Sequence, residues 1–199
     1  MGKVIALDGD GVLLDYHAAY RLAWQQAFGH LPELKDPQAY WPMDRWDVPR
    51  LEAGDRAKLR GCMDDIFWSS IPAIPGAIQA CQILCDAGYE LVCLTAIDSK
   101  YQSARLKNVQ SLGFPIERVI ATPALILGGS NPKAEVLELL KPVVFVDDYL
   151  PFLKGIPTGI HAALVLREPN GSPNVGPDLS LAHSTHADLA EFAEWWLRA

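Results

Sequence analysis

The sequence contains no apolar run long enough to cross a membrane, and its first apolar stretch, Val4 to Leu7, is too short to read as a signal peptide. It has no excess of basic residues either. The 17 Lys and Arg stand against 24 Asp and Glu, giving a formal charge of −7 and an isoelectric point near 5.1. That balance provides no electrostatic footprint for a nucleic-acid backbone. Cysteine is scarce. Cys62, Cys81, Cys85 and Cys93 form no CxxC pair and no His/Cys spacing of a zinc site, so they read as reduced, buried thiols of a cytoplasmic protein. Internal repeats and low-complexity segments are also missing. The expectation is therefore a protein whose partner is a small molecule rather than nucleic acid or membrane. At 199 residues, half of them hydrophobic, the chain suffices for one domain or a core domain carrying an insertion.

What is present is an alternation of short apolar runs with helical patterns. Val4–Leu7 is apolar throughout and ends at Asp8-Gly9-Asp10-Gly11, as a strand buried on both faces would. A helix pattern follows from Asp15 to Phe28, with Ala19, Leu22, Ala23 and Ala27 as its stripe. From Gly29 to Ala73 the text changes. Prolines at 32, 37, 42 and 49 and Trp41, Trp46 and Trp68 among charged residues suggest short helices and loops inserted into the repeating pattern. Pro75-Gly76 then opens a helix, and Gly88 stops it. Strands are expected at Tyr89–Leu94, Arg118–Ala121, Val143–Val146 and Ile160–Leu166, with helices between them and a last helix carrying Leu189, Phe192, Ala193 and Trp196. Such alternation predicts an α/β fold with a doubly wound parallel sheet.

Ligands of such sheets bind beyond the carboxyl ends of the strands. The residues predicted there are Asp8, Asp10, Thr95, Asp147 and Asp148, and Lys133 opens the helix before the Asp147 strand. Four acids at one edge need a cation, and an all-oxygen ligand set favours Mg2+ over zinc or copper. Each residue alone has a bland reading: Asp-Gly turns are common, a single lysine is usually a surface lysine, and Thr95 by itself says little. Asp64-Asp65 reads as a solvated helix face. His183-Ser184-Thr185-His186 reads as a helix-entry loop rather than a metal site, and Trp195-Trp196 as an amphipathic terminal helix.

Taken together and in order, these residues resemble the haloacid-dehalogenase superfamily, in its phosphatase branch. Ile5-Ala6-Leu7-Asp8-Gly9-Asp10-Gly11-Val12 is similar to that family's first motif, Leu91-Val92-Cys93-Leu94-Thr95 to its second, Lys133 to its third, and Val143 to Asp148 to its fourth. Ile74-Pro75-Gly76-Ala77 resembles the return to the core after a cap. Two positions depart from the usual pattern: Gly9 replaces a bulkier apolar residue, and Ala96 stands where Asn is frequent.

The resemblance implies a core over residues 1–15 and 74–199, with a small helical cap over 16–73. It implies Mg2+-dependent hydrolysis of a small phosphorylated metabolite through an aspartyl-phosphate on Asp8. Asp10 would be the general acid and base, Asp147 and Asp148 metal ligands together with Asp8 and the Asp10 carbonyl. Gly9, Asp10, Thr95, Ala96 and Lys133 would hold the phosphate. A phosphotransferase or phosphomutase would need the same residues, and a non-catalytic phosphate-binding domain is an alternative from another class. A faint likeness to the 5′(3′)-deoxyribonucleotidases leaves the substrate open. Trp24, Tyr40, Trp41, Trp46 and Trp68 are expected mostly to hold the cap together, with stacking on a substrate as the alternative.

Overall fold

The computed structural model describes residues 3–126 and 128–198. Six strands form one parallel sheet: β1 (Lys3–Leu7), β2 (Tyr89–Ala96), β3 (Arg118–Thr122), β4 (Val144–Asp147), β5 (His161–Val165) and β6 (Ser184–His186), in the order β3-β2-β1-β4-β5-β6. The chain builds outward from β1 to β3, then crosses to the other side of β1 for β4, so the topological switch lies between β1 and β4. Leu7 is in register with Cys93 on one side and Val146 on the other.

Strand periodicity sorts the side chains into two layers. Ile5, Leu7, Leu91, Cys93, Val144, Val146, Ala163 and Val165 pack on one face, Ala6, Leu94, Phe145, Ala162 and Leu164 on the other. Both faces are thus covered, which is why these strands read as unbroken apolar runs. Helices α5 (Ala77–Asp86) and α8 (Leu189–Trp196) cover the first face; Leu137 of α7 (Pro132–Leu140) packs on the second. Helix α6 (Gln102–Ser111) follows β2. No helix among the described residues is long and apolar enough to cross a membrane.

Between β1 and α5 run α1 (Tyr16–Phe28) and three short helices, α2 (Pro42–Arg45), α3 (Ala53–Gly61) and α4 (Asp65–Trp68). Trp24, Trp46, Leu59, Phe67 and Ile71 belong to the same buried cluster as the sheet face, so this segment has no separate core. It is also tied down at its far end. Gln38 and Tyr40 exchange backbone hydrogen bonds with Asn170, and Asn170 Nδ2 donates to Asp36.

Several sequence expectations need correction. Leu22 is 57% exposed, while His17, Tyr20 and Trp24 join the buried face of α1; larger aromatic rings gain more from burial and set the helix's rotation. Residues 184–186 form β6 rather than a helix-entry loop. As an edge strand paired only with β5, it needs no apolar run to mark it. Asp64 is not simply solvated: it caps α4 by accepting hydrogen bonds from the Ile66 and Phe67 amides.

Candidate active site

Three adjacent strands bring the predicted residues together. Asp8 directly follows β1, Thr95 lies at the end of β2, and Asp147 closes β4 with Asp148 next. Asp8, Asp147 and Asp148 each offer a carboxylate oxygen within 4.8 Å of the others, and all three are buried. Lys133 enters from the first turn of α7, where Asn131 caps the helix and Pro132 sets its first turn. Asn131 Nδ2 also donates to the carbonyls of Phe152 and Lys154, fixing that helix end against the loop after β4. The lysine, 0% exposed, places Nζ 2.5 Å from Asp8 Oδ1 and 2.6 Å from Asp147 Oδ2.

Electrostatics in this dry cluster are opposed. Burial pushes the Asp147 and Asp148 carboxyls up, each acid being further raised by its acidic neighbours, against the pull of Lys133 on Asp147 and Arg167 on Asp148. Burial pulls Lys133 down, but Asp147 and Asp8 outweigh it and the net shift is upward. Lys133 is held as an ammonium.

The Asp10 carboxylate is not part of the acid cluster; it pairs with Arg105. One guanidinium nitrogen lies 2.8 Å from each Asp10 oxygen, with Arg105 fully buried and the Asp10 side chain 24% exposed. Burial raises the Asp10 pKa, with Arg105 as the main opposing influence. The remaining Arg105 nitrogens have no hydrogen-bond partner among the described residues, and the guanidinium lies 5.1 Å from the Trp68 ring centre.

Two glycines let this edge close. Gly11 has φ +92°, and an added Cβ would meet Asp148 Oδ2 at 2.1 Å. At Gly9 an added Cβ would meet the Thr95 hydroxyl at 2.9 Å. The missing side chain at position 9, a departure from the usual motif, is therefore filled by Thr95. Ala96 lines the cleft beside it.

The cleft has a volume of about 280 Å³, lined by Asp8, Asp10, Thr95 and Asp148 at its floor and by Tyr40, Trp41, Tyr149 and Phe152 among its walls. Of the five aromatics singled out from the sequence, only Tyr40 and Trp41 line it. Trp24 and Trp46 are buried, and Trp68 lies over Arg105 with its indole N–H on the Met63 carbonyl. A larger cleft of about 740 Å³ shares Leu125 and Tyr149 with this one, but none of the four acids line it.

Sequence reasoning missed several neighbours of the acids. Arg167 stands two residues beyond β5 and lies 3.1 Å from Asp148 Oδ2; the strand-end rule that found the acids also applied to this end of the sheet. Asn174 Nδ2, which nothing local marks, donates to the Asp148 carbonyl, and so does Oη of Tyr40, expected from the sequence only as a cap or stacking aromatic. Arg105 reaches Asp10 from α6. It shares the buried side of α6 with Ala104, Asn108 and Val109, and a charge on such a face is a visible signal.

The donor set fits a hard divalent cation: three converging carboxylates, all oxygen, no thiol or imidazole among them. No protein-family profile matches the chain, and no curated protein matches it in sequence. Solved structures do match. A candidate β-phosphoglucomutase from Thermotoga maritima is 17% identical, with 99% of each chain covered and a TM-score of 0.62. A HAD-family hydrolase from Deinococcus radiodurans with bound phosphate and sodium is 16% identical over 99% of this chain and 96% of its own, at 0.61. A dehalogenase in an intermediate complex is 17% identical over 98% and 96%, at 0.60. The likeness extends over essentially the whole chain, and the protein has the α/β fold of the haloacid-dehalogenase superfamily.

Proposed function

We propose that this protein is a Mg2+-dependent phosphohydrolase that acts on a small phosphorylated metabolite through an aspartyl-phosphate on Asp8. The observation that carries the reading is the position of Asp8: at the switch-point strand end, within reach of Asp147 and Asp148, with Lys133 on its Oδ1. Asp8, Asp147 and Asp148 side chains and the Asp10 carbonyl would hold the ion, which supplies positive charge against the phosphate.

Asp8 attacks phosphorus in line, and the bond to the leaving oxygen breaks. Lys133 keeps the Asp8 carboxylate oriented and offsets its charge. Asp10 gives a proton to the departing oxygen, then takes one from the water that attacks the phosphoaspartate, releasing Asp8 and phosphate. Arg105 holds the Asp10 carboxylate at the cleft edge between these roles. Thr95 and the loop amides near Gly9 and Ala96 donate to phosphoryl oxygens. A dehalogenase also uses an aspartate nucleophile, but it has no need of an acid at position 10 or of a triad of acids around position 8.

The test is phosphate release from an aryl phosphate with Mg2+ or with EDTA, combined with mass spectrometry of acid-quenched protein. Turnover should require Mg2+, and the phosphate adduct should map to the peptide containing Asp8. Asp8→Asn should form no adduct. Asp10→Asn should slow turnover about 10²–10⁴-fold and still accept phosphate from the activated ester. Full turnover in EDTA, or an adduct on another residue, would refute the proposal.

A further inference from the structure

The connection from β5 to β6, residues 166–183, contains no α-helix; its one regular element is a 3₁₀ turn at Pro177–Leu181. Adjacent parallel strands are usually joined by a crossover helix. Here the first part of the connection lies instead against other segments at the carboxyl edge of the sheet. Arg167 reaches the Asp148 carboxylate, Asn170 bonds to Asp36 and to the backbone of Gln38 and Tyr40, and the Gly171 carbonyl accepts from Trp41 Nε1.

Asn174 belongs to the same stretch and is 7% exposed. Both halves of its side-chain amide are used. Nδ2 donates to the Asp148 carbonyl at 2.7 Å, and Oδ1 accepts from the Leu150 amide at 2.8 Å. One side chain thus closes around the turn Asp148-Tyr149-Leu150. The Asn174 amide in turn donates to Ser172 Oγ. A buried amide is favourable only when both halves are bonded. The need is mutual, because Leu150 opens a short 3₁₀ turn, Leu150–Leu153, and its amide has no partner within that turn.

The neighbouring acids are fixed differently. Asp147 is part of β4, and its Oδ1 accepts from the Tyr149 amide. Asp8 follows β1, and its amide donates to the Val146 carbonyl of β4. Asp148 lies one residue past its strand, and its carbonyl accepts from two side chains brought from elsewhere, Asn174 and Tyr40.

We propose that Asn174 is a positioning residue for the metal site: it holds the Asp148–Leu150 turn so that Asp148 presents its carboxylate to the cation alongside Asp8 and Asp147. This rests on the metal ligands of the phosphohydrolase reading and adds to them a residue outside the cleft lining, which acts through Asp148.

The experiment uses the full chain, as parent, Asn174→Ala and Asn174→Ser, the last a milder change that removes the same two-armed contact without adding charge. Thermal unfolding in EDTA identifies the variants that are folded at the assay temperature. Mg2+ affinity is then measured by calorimetry and by the Mg2+ concentration that gives half-maximal turnover of p-nitrophenyl phosphate. Each Asn174 variant should bind Mg2+ about 10- to 100-fold more weakly, the usual range for residues that orient a metal ligand, and saturating Mg2+ should restore most of kcat. Val175→Ala, next in the loop and 65% exposed, should bind Mg2+ as the parent does. A folded Asn174 variant with a lower Tm but the parent's Mg2+ affinity would make Asn174 a staple of the loop alone and overturn the proposal. An equal loss in Val175→Ala would overturn it too, since any change in the loop would then weaken the site. Mg2+ binding by the parent without turnover would count against the phosphohydrolase reading alone, with the calorimetric comparison still deciding the role of Asn174. A parent that does not respond to Mg2+ in either measurement would overturn both the metal assignment and this proposal.

Discussion

Replacing Lys133 with methionine removes one ammonium and leaves a chain of similar length in a fully buried position. Asp8 and Asp147 lose a partner at 2.5 and 2.6 Å, while Asp148 remains within 4.8 Å of both. Two unit charges at that separation repel by roughly 3 kcal/mol at an effective dielectric of 20. Proton uptake by Asp147, already raised, limits the loss. The expected cost is about 3–5 kcal/mol, the range for removing one partner of a buried ion pair. For a chain of this size that corresponds to a fall in Tm of roughly 6–20 °C. Thermal and urea unfolding in EDTA would measure it. Two further arms isolate the cause. Mg2+ should stabilise Lys133→Met more than the parent, because a second cation then neutralises the same carboxylates. The double variant Lys133→Met/Asp8→Asn should recover part of the loss, since one of the opposed charges is gone. A variant as stable as the parent in EDTA, or a double variant no better than the single, would refute the electrostatic account.

Other perturbations probe neighbouring parts of the structure. Burial lowers the pKa of His17 to about 4, so the unfolded chain binds more protons between there and 6.5, and stability rises with pH across that window. Between pH 5 and 7 this one group should contribute roughly 2 kcal/mol. His17→Gln, measured by urea unfolding at both pH values, should flatten that dependence; an unchanged slope would exclude the histidine. Gly11→Ala should lose at least about 1 kcal/mol from the φ of +92° and weaken metal binding by displacing Asp148; calorimetric Mg2+ affinity equal to the parent's would contradict this. Arg105→Leu should cost on the order of 2–3 kcal/mol, below the full buried-pair range because Asp10 is partly exposed. In a double-mutant cycle with Asp10→Asn the two losses should be far from additive; additivity would mean the pair does not act as one.

Fold class and the acid edge were legible in the sequence because both depend on short-range patterns. Val4–Leu7, Leu91–Leu94 and Val143–Val146 are unbroken apolar runs because each is covered on both faces, and the residue at which each run stops is polar. In a parallel sheet all those stops fall on the same edge, so Asp8, Thr95 and Asp147 could be placed together before any coordinates. The helix pattern after residue 132 placed Lys133 at a helix start, where the structure puts it behind the Asn131 cap and Pro132.

Tertiary structure alone decided what each acid is paired with and what walls the cleft. Arg105 meets Asp10 across 95 residues and Tyr40 meets the Asp148 carbonyl across 108; such pairings depend on how α6 and the segment after α1 pack, and no local propensity encodes them. β6 escaped notice because an edge strand of three polar residues, held by its ladder to β5, carries no apolar run. The separation of Tyr40 and Trp41 from the buried Trp24 and Trp46 was likewise invisible, since the sequence shows all four only as large aromatic residues. Chain composition determines that aromatic rings seek burial; only the packed chain determines which of them find it and which are left facing the site.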